Sequence, residues 1–175
     1  MIIVIYLFIV VLCILLALGR IKKRCSRKAS RPQTAEAQLK EYRRYMAAEL
    51  PSMLRRYDVF MPAFFSRVSA SFLQNGTTPQ FWEEDLKEGT TPDHAAWVLN
   101  HCLRICAQRY SNHRAIKNAD AAEAKYIVLD PHRTVTDCPR RPKKKKYRRC
   151  DSIPLYPCKD CEEEDFCVVF YDAEF

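Results

Sequence analysis

Hydrophobic positions divide this chain into an apolar leader, a stretch with helical periodicity and a tail with neither. Residues 2–18 read IIVIYLFIVVLCILLAL, and fourteen of those seventeen positions are Ile, Val, Leu or Phe. Each such residue favours insertion by roughly 0.3–0.6 kcal/mol at a bilayer centre. As a helix the run would be about 25 Å long, slightly short of a hydrocarbon core of about 30 Å. Residues 1–19 are therefore expected to form a single transmembrane signal anchor.

From Thr34 the pattern turns amphipathic. TAEAQLKEYRRYMAAEL holds strong helix formers and no Gly or Pro. Leu39, Tyr42, Met46 and Leu50 approximate one face, and Pro51 is expected to start a new turn. Met61, Phe64, Phe65, Val68 and Phe72 recur at helical spacing, with Asn75-Gly76 as the stop. Two related phrases follow, GTTPQFW at 76–82 and GTTPDHAAW at 89–97. In each, Gly closes one helix, the second Thr caps the next and Pro takes its first position. The second phrase opens a helix over 92–110, with Ala95, Val98, Leu99, Cys102, Cys106 and Tyr110 inward and Asn100, Arg104 and Gln108 outward. A short helix over 120–125 and a strand over 126–129 complete the body.

Beyond residue 131 the helical period is lost, and prolines and cysteines accumulate. The apolar run Phe166 to Tyr171 predicts one strand. The fold class expected is mainly α: an N-terminal transmembrane helix (1–19), a basic juxtamembrane linker (20–33), a small helical domain (34–130) and a short Cys-rich irregular/β tail (131–175). The central segment is long enough to bury a modest core, whereas the tail needs a staple, a metal or a partner.

The net charge of +8 is laid out in blocks. No Lys or Arg precedes the apolar leader, and seven follow it by residue 31. The positive-inside rule then puts the amino terminus outside and the C-terminal body in the cytoplasm. Arg20, Lys22, Lys23, Arg24, Arg27 and Lys28 would contact the lipid surface. A cleaved signal peptide ending at Ala17-Leu18-Gly19 is the competing reading, although it lacks a basic start. Residues 34–137 carry thirteen positive and thirteen negative charges, which gives no broad basic field for nucleic acid. Residues 138–150 carry eight positive charges on Arg140, Arg141, Lys143, Lys144, Lys145, Lys146, Arg148 and Arg149. An acid run follows, Asp160, Glu162, Glu163, Glu164 and Asp165, which could neutralise them.

The chemistry-bearing candidates are cysteines. Cys158-Lys-Asp-Cys161 places two thiolates within reach of one ion, as tetrahedral Zn2+ requires, with Cys138 and Cys150 completing the set and Cys167 as alternate. The spacing matches no standard finger. In a reducing compartment these residues suggest metal or burial, and after export they would suggest disulfides. Cys102 and Cys106 lie four apart on an apolar face, where burial as small hydrophobes is the plainer reading. No P-loop, G-x-S-x-G, H-E-x-x-H or kinase catalytic loop occurs in the sequence.

These patterns point to a non-catalytic membrane-anchored adaptor or assembly protein. It would present a helical domain and a zinc-stapled tail to a protein partner, with Phe60, Phe81 and Trp82 as contact candidates. The alternatives are a membrane-tethered nucleic-acid-binding protein using residues 138–150 and an exported, disulfide-containing domain. No small-molecule substrate is evident.

Overall fold

The computed structural model describes residues 34–133, 140, 142–148, 151–159, 161 and 167–175. Helices α1 (Ala35–Leu54), α2 (Pro62–Gln74) and α3 (Pro92–Ala121) precede strands β1 (Tyr126–Arg133), β2 (Lys145–Arg148) and β3 (Val168–Glu174). The strands form one antiparallel sheet of order β2-β1-β3. Helix α1 packs on α2 and α3, and α3 also packs on β3.

The helix boundaries follow local chemistry. The Thr34 side chain accepts from Ala37 N at 3.2 Å, and Thr91 accepts from His94 N at 3.3 Å. Each satisfies an amide that the first helical turn leaves without a carbonyl. Gly76 closes α2 with φ +77°, its N–H donating to Ser71 O and Phe72 O. The first of the two related phrases departs from expectation at this point: Thr78-Pro79 opens no α-helix, and only a 3-10 turn, Glu83–Asp85, follows. The second phrase behaves as predicted, with Pro92 as the first residue of α3.

Helix α1 runs through Pro51 rather than ending before it. A proline inside a helix has no N–H for the carbonyl four residues earlier, here that of Ala47. Ser69 on α2 supplies the replacement, its hydroxyl donating to Ala47 O at 2.8 Å. The defect in one helix is thereby closed by its neighbour.

Helix α3 continues 11 residues beyond the predicted end at 110, as far as Ala121. It ends without glycine: Glu123 takes φ +58°, and Ala124 N donates back to Ala119 O at 3.0 Å. That six-residue closure is the usual job of glycine.

Two cores result. The larger lies among the helices and includes Met46, Leu50, Phe60, Phe64, Val68 and Ile105. The smaller joins Ala119 at the end of α3 to Ile127, Leu129, Val169 and Tyr171 of the sheet. Strand β1 passes Pro131, where pairing with β3 shifts register between Pro131 and Arg133.

The expected fold class is corrected on two counts. The expected irregular/β tail supplies two strands, β2 and β3, which pair with β1 in a three-stranded antiparallel sheet whose core includes Ala119 at the end of α3. Among the described residues, no helix is long and apolar enough to cross a membrane, because α1 and α3 carry charges along their length. The single-pass reading, with an outside amino terminus and a cytoplasmic body, therefore finds no support. The segment 2–18 on which it rested lies outside the described residues, as do Arg20, Lys22, Lys23, Arg24, Arg27 and Lys28.

The Pro51–Ser69 pairing gives a specific expectation. Ser69→Ala should destabilise the protein by about 1–3 kcal/mol, the cost of stranding a buried carbonyl. In a Pro51→Ala background the restored amide can take that carbonyl, and the penalty should largely vanish in a denaturation double-mutant cycle. Equal penalties in both backgrounds would refute the compensation.

Candidate functional site

Among the described residues, the proposed metal ligands form no site, and no group of three or more His, Cys, Asp or Glu side chains is placed to hold a metal ion. Cys138 and Cys150 lie outside the described residues. Cys161 packs against the helical core, and Cys167 is buried. The zinc expectation is corrected accordingly. The Cys158–Cys161 turn does form, with Cys161 N donating to Cys158 O at 3.3 Å, but its backbone is turned to a packing task. His101 Nε2 donates to Cys161 O at 2.8 Å, and Tyr57 OH reaches the same oxygen at 3.4 Å.

That contact belongs to a larger clasp. Arg109, only 9% exposed, donates Nη1 to Leu155 O at 2.8 Å and also to Pro157 O. Asn112 donates Nδ2 to Tyr156 O at 2.9 Å. From the sheet side, Tyr171 OH donates to Pro154 O at 2.6 Å and accepts from Tyr156 N at 3.1 Å. Lys159 pairs with Glu49 at 2.5 Å. Residues 154–159 and 161 are thus held by polar side chains that include Glu49 of α1, His101, Arg109 and Asn112 of α3 and Tyr171 of β3.

Four residues of the basic run, Lys145–Arg148, form an edge strand. β2 pairs with β1 in a register that sets Lys146 opposite Val128 and Arg148 opposite Tyr126. Two charges of the basic run meet acids of the sheet: Lys144 lies 3.6 Å from Asp130, and Lys146 pairs with Glu174, while the acid run Asp160, Glu162, Glu163, Glu164 and Asp165 lies outside the described residues. Lys146 also sits 4.4 Å from the Tyr126 ring centroid. Lysines along an exposed edge discourage pairing with another strand. Lys143, Lys145 and Arg140 are exposed, whereas Arg141 and Arg149 lie outside the described residues.

Of the aromatic contact candidates, Phe60 is fully buried and stacks on Phe64 at 4.5 Å, so it is a core residue. Phe81 is half-buried, edge-on to Phe60 at 5.7 Å. Trp82 stands out at 54% exposure on a braced loop. Its N–H donates to Asp85 Oδ2 at 2.9 Å. Asp85, itself 4% exposed, accepts from Arg67 Nη1 at 2.6 Å, and Arg67 Nη2 donates to Gln80 O at 2.8 Å. The loop is also laced to the start of α2: Met61 N donates to Asp85 O at 2.7 Å, and Lys87 N to Val59 O at 2.9 Å. Met61, whose N–H holds Asp85 O, is 42% exposed. Sequence reading found Trp82 but not its brace, which depends on Arg67 eighteen residues from Asp85.

A second exposed feature lies between α1 and α2. A cavity of about 410 Å³ is lined by Glu36, Leu39, Lys40, Arg43, Arg44 and Leu73. On α3, the rings of His94, Trp97 and His101 stack at centroid distances of 6.1 and 5.0 Å. Comparison with known proteins found no similar family model, no similar curated protein and no similar solved structure.

Cys102 and Cys106 carry free, fully buried thiols, with Cys106 Sγ 3.2 Å from Met53 Sδ. Burial pushes both up to about 12 from the ordinary 9.0. A depressed value would mark a nucleophile, and these are shifted the opposite way. Because the folded thiols hold protons that the unfolded chain releases, their stabilising contribution is complete below pH 9 and is lost as pH rises towards 12. Unfolding free energy should therefore fall above pH 9 by up to about 1.4 kcal/mol per pH unit for each thiol. Denaturant titrations from pH 7 to 11 check this, and Cys102→Ala/Cys106→Ala should flatten the fall. An alkaline profile identical to wild type in that variant would contradict the assignment.

Proposed function

We propose that this chain is a non-catalytic protein-interaction module whose principal contact residue is Trp82. The observation that carries the reading is a large aromatic side chain, 54% exposed, on a loop whose backbone is held by a buried carboxylate. Tryptophan is enriched among the residues that dominate binding energy at interfaces. An exposed side chain on a rigid loop loses little conformational freedom on binding, which favours affinity. The Arg67–Asp85 ion pair, the hydrogen bond to Gln80 O and the pairing of residues 59–61 with 85–87 all hold the loop in the free protein.

Phe81, the residue before Trp82, packs against the core and anchors the loop there. The partner face that fits is an apolar pocket able to receive an indole, rimmed by polar groups. The assignment of an adaptor role rests on this surface and on the body that fixes it, and it involves no chemistry at the buried thiols.

The test is photocrosslinking in cells with p-benzoylphenylalanine at position 82 of the full chain. A discrete protein adduct should form from position 82 and not from exposed Lys125. Arg67→Ala, which releases the loop, should reduce its yield. With the partner in hand, Trp82→Ala should weaken binding by about 2 kcal/mol or more while changing stability by less than about 0.5 kcal/mol. Equal adducts from positions 82 and 125, or unaltered affinity in Trp82→Ala, would overturn the reading.

A further inference from the structure

The α1–α2 groove is a separate surface with a charge pattern of its own. Leu39 and Leu73 face it at 48% and 53% exposure, which leaves two large aliphatic side chains exposed beside one cavity. Around them stand Lys40, Arg43 and Arg44, against the single acid Glu36. Glu36 lies in the first turn of α1, where an acid complements the helix dipole. Among the described residues, neither Lys40 nor Arg44 forms an ion pair with the rest of the chain, so their charge remains available to a partner.

Arg43 is held differently. Its Nη1 donates to Gln74 O at 3.0 Å, and Gly76 passes so close that a Cβ there would lie 3.0 Å from Arg43 Nε. The end of α2 therefore fixes one cation at the groove wall, while Lys40 and Arg44 stand beside it on α1. Residues 36 to 44 span about 12 Å along the helix axis, a little over two turns.

The geometry points to an acidic amphipathic helix as the occupant of this groove. A helix laid between α1 and α2 would set apolar residues spaced i, i+3 or i+4 against Leu39 and Leu73, as in helix-in-groove recognition. Its flanking Glu or Asp side chains would meet Lys40, Arg43 and Arg44. Apolar burial supplies affinity, and the cations supply selection by sign of charge. This site is independent of Trp82: either surface can fail its test while the other stands.

The probe is a dye-labelled helical peptide with leucines at i, i+3 and i+7 and glutamates on both flanks, titrated with the full chain by fluorescence anisotropy. A control peptide carries lysine at every glutamate. The acidic peptide should bind at least tenfold tighter than the basic one at low salt. That preference should shrink as salt rises from about 50 to 500 mM, since exposed charges are screened. Lys40→Glu/Arg44→Glu should reverse the preference, and Leu73→Ser should weaken the acidic peptide at least tenfold with the circular dichroism unchanged. Equal binding of the two peptides, no binding of either, or binding indifferent to Leu73→Ser would overturn the proposal. Concentration-dependent dimerisation abolished by Leu73→Ser would assign the groove to a second copy and overturn it too.

Discussion

A buried guanidinium is the constraint on which this structure turns. Arg109 sits on the inward face of α3, almost fully removed from water, and spends its donors on the carbonyls of Leu155 and Pro157. Leaving a buried charge without partners is costly, so the chain segment that supplies those oxygens must stay in place. Asn112 and His101, on the same helix, grip Tyr156 O and Cys161 O. Residues 154–159 and 161, between β2 and β3, are thus tied to α3, and Tyr171 ties them to the sheet. Helices and sheet are joined through residues that, as far as they are described, belong to no helix or strand.

The same solution recurs across the molecule. At several points where the regular backbone pairing is broken or ends, a carbonyl is taken by a side-chain donor from another part of the chain. Ser69 reaches Ala47 O beside Pro51, Arg43 reaches Gln74 O at the end of α2, and Arg67 reaches Gln80 O. A chain with ten prolines and three glycines has many carbonyls to satisfy and few positions that turn freely. These long-range bonds do for the loops what ladders do for strands. They also hold the Trp82 loop and one wall of the α1–α2 groove, so both candidate surfaces inherit their shape from the same device.

What could be read from the sequence was what is local. The spacing Phe64, Phe65, Val68, Phe72 specified α2 and its buried face, and Thr91-Pro92 marked the start of α3. Other features were closed to such reading because their cause lies elsewhere in the chain. Pro51 reads as a boundary until Ser69 is seen behind it. The far end of α3, residues 111–121, was missed because few of its positions are apolar, yet Asn112 and Ala119 there are buried. Lys145–Arg148 has weak strand propensity, and only pairing with β1 makes it a strand. The C-x-x-C turn looked like half a metal site, whereas its carbonyl docks on α3. At the candidate surfaces, sequence offered Phe60, Phe81 and Trp82 alike, and only packing separates the buried Phe60 from the exposed Trp82, while the groove needed two helices brought together.

The central claim is that Arg109 and its neighbours make helices and sheet one cooperative unit. Native-state hydrogen exchange on wild type and Arg109→Met tests it most directly. In the wild type, the slowest amides of β1 and β3 should open with the same free energy as those around Ile105 in α3. In Arg109→Met, the strand amides should become separately and more easily exchangeable, while the core of α1 and α2 keeps its protection relative to them. Strand protection unchanged by Arg109→Met would contradict the account.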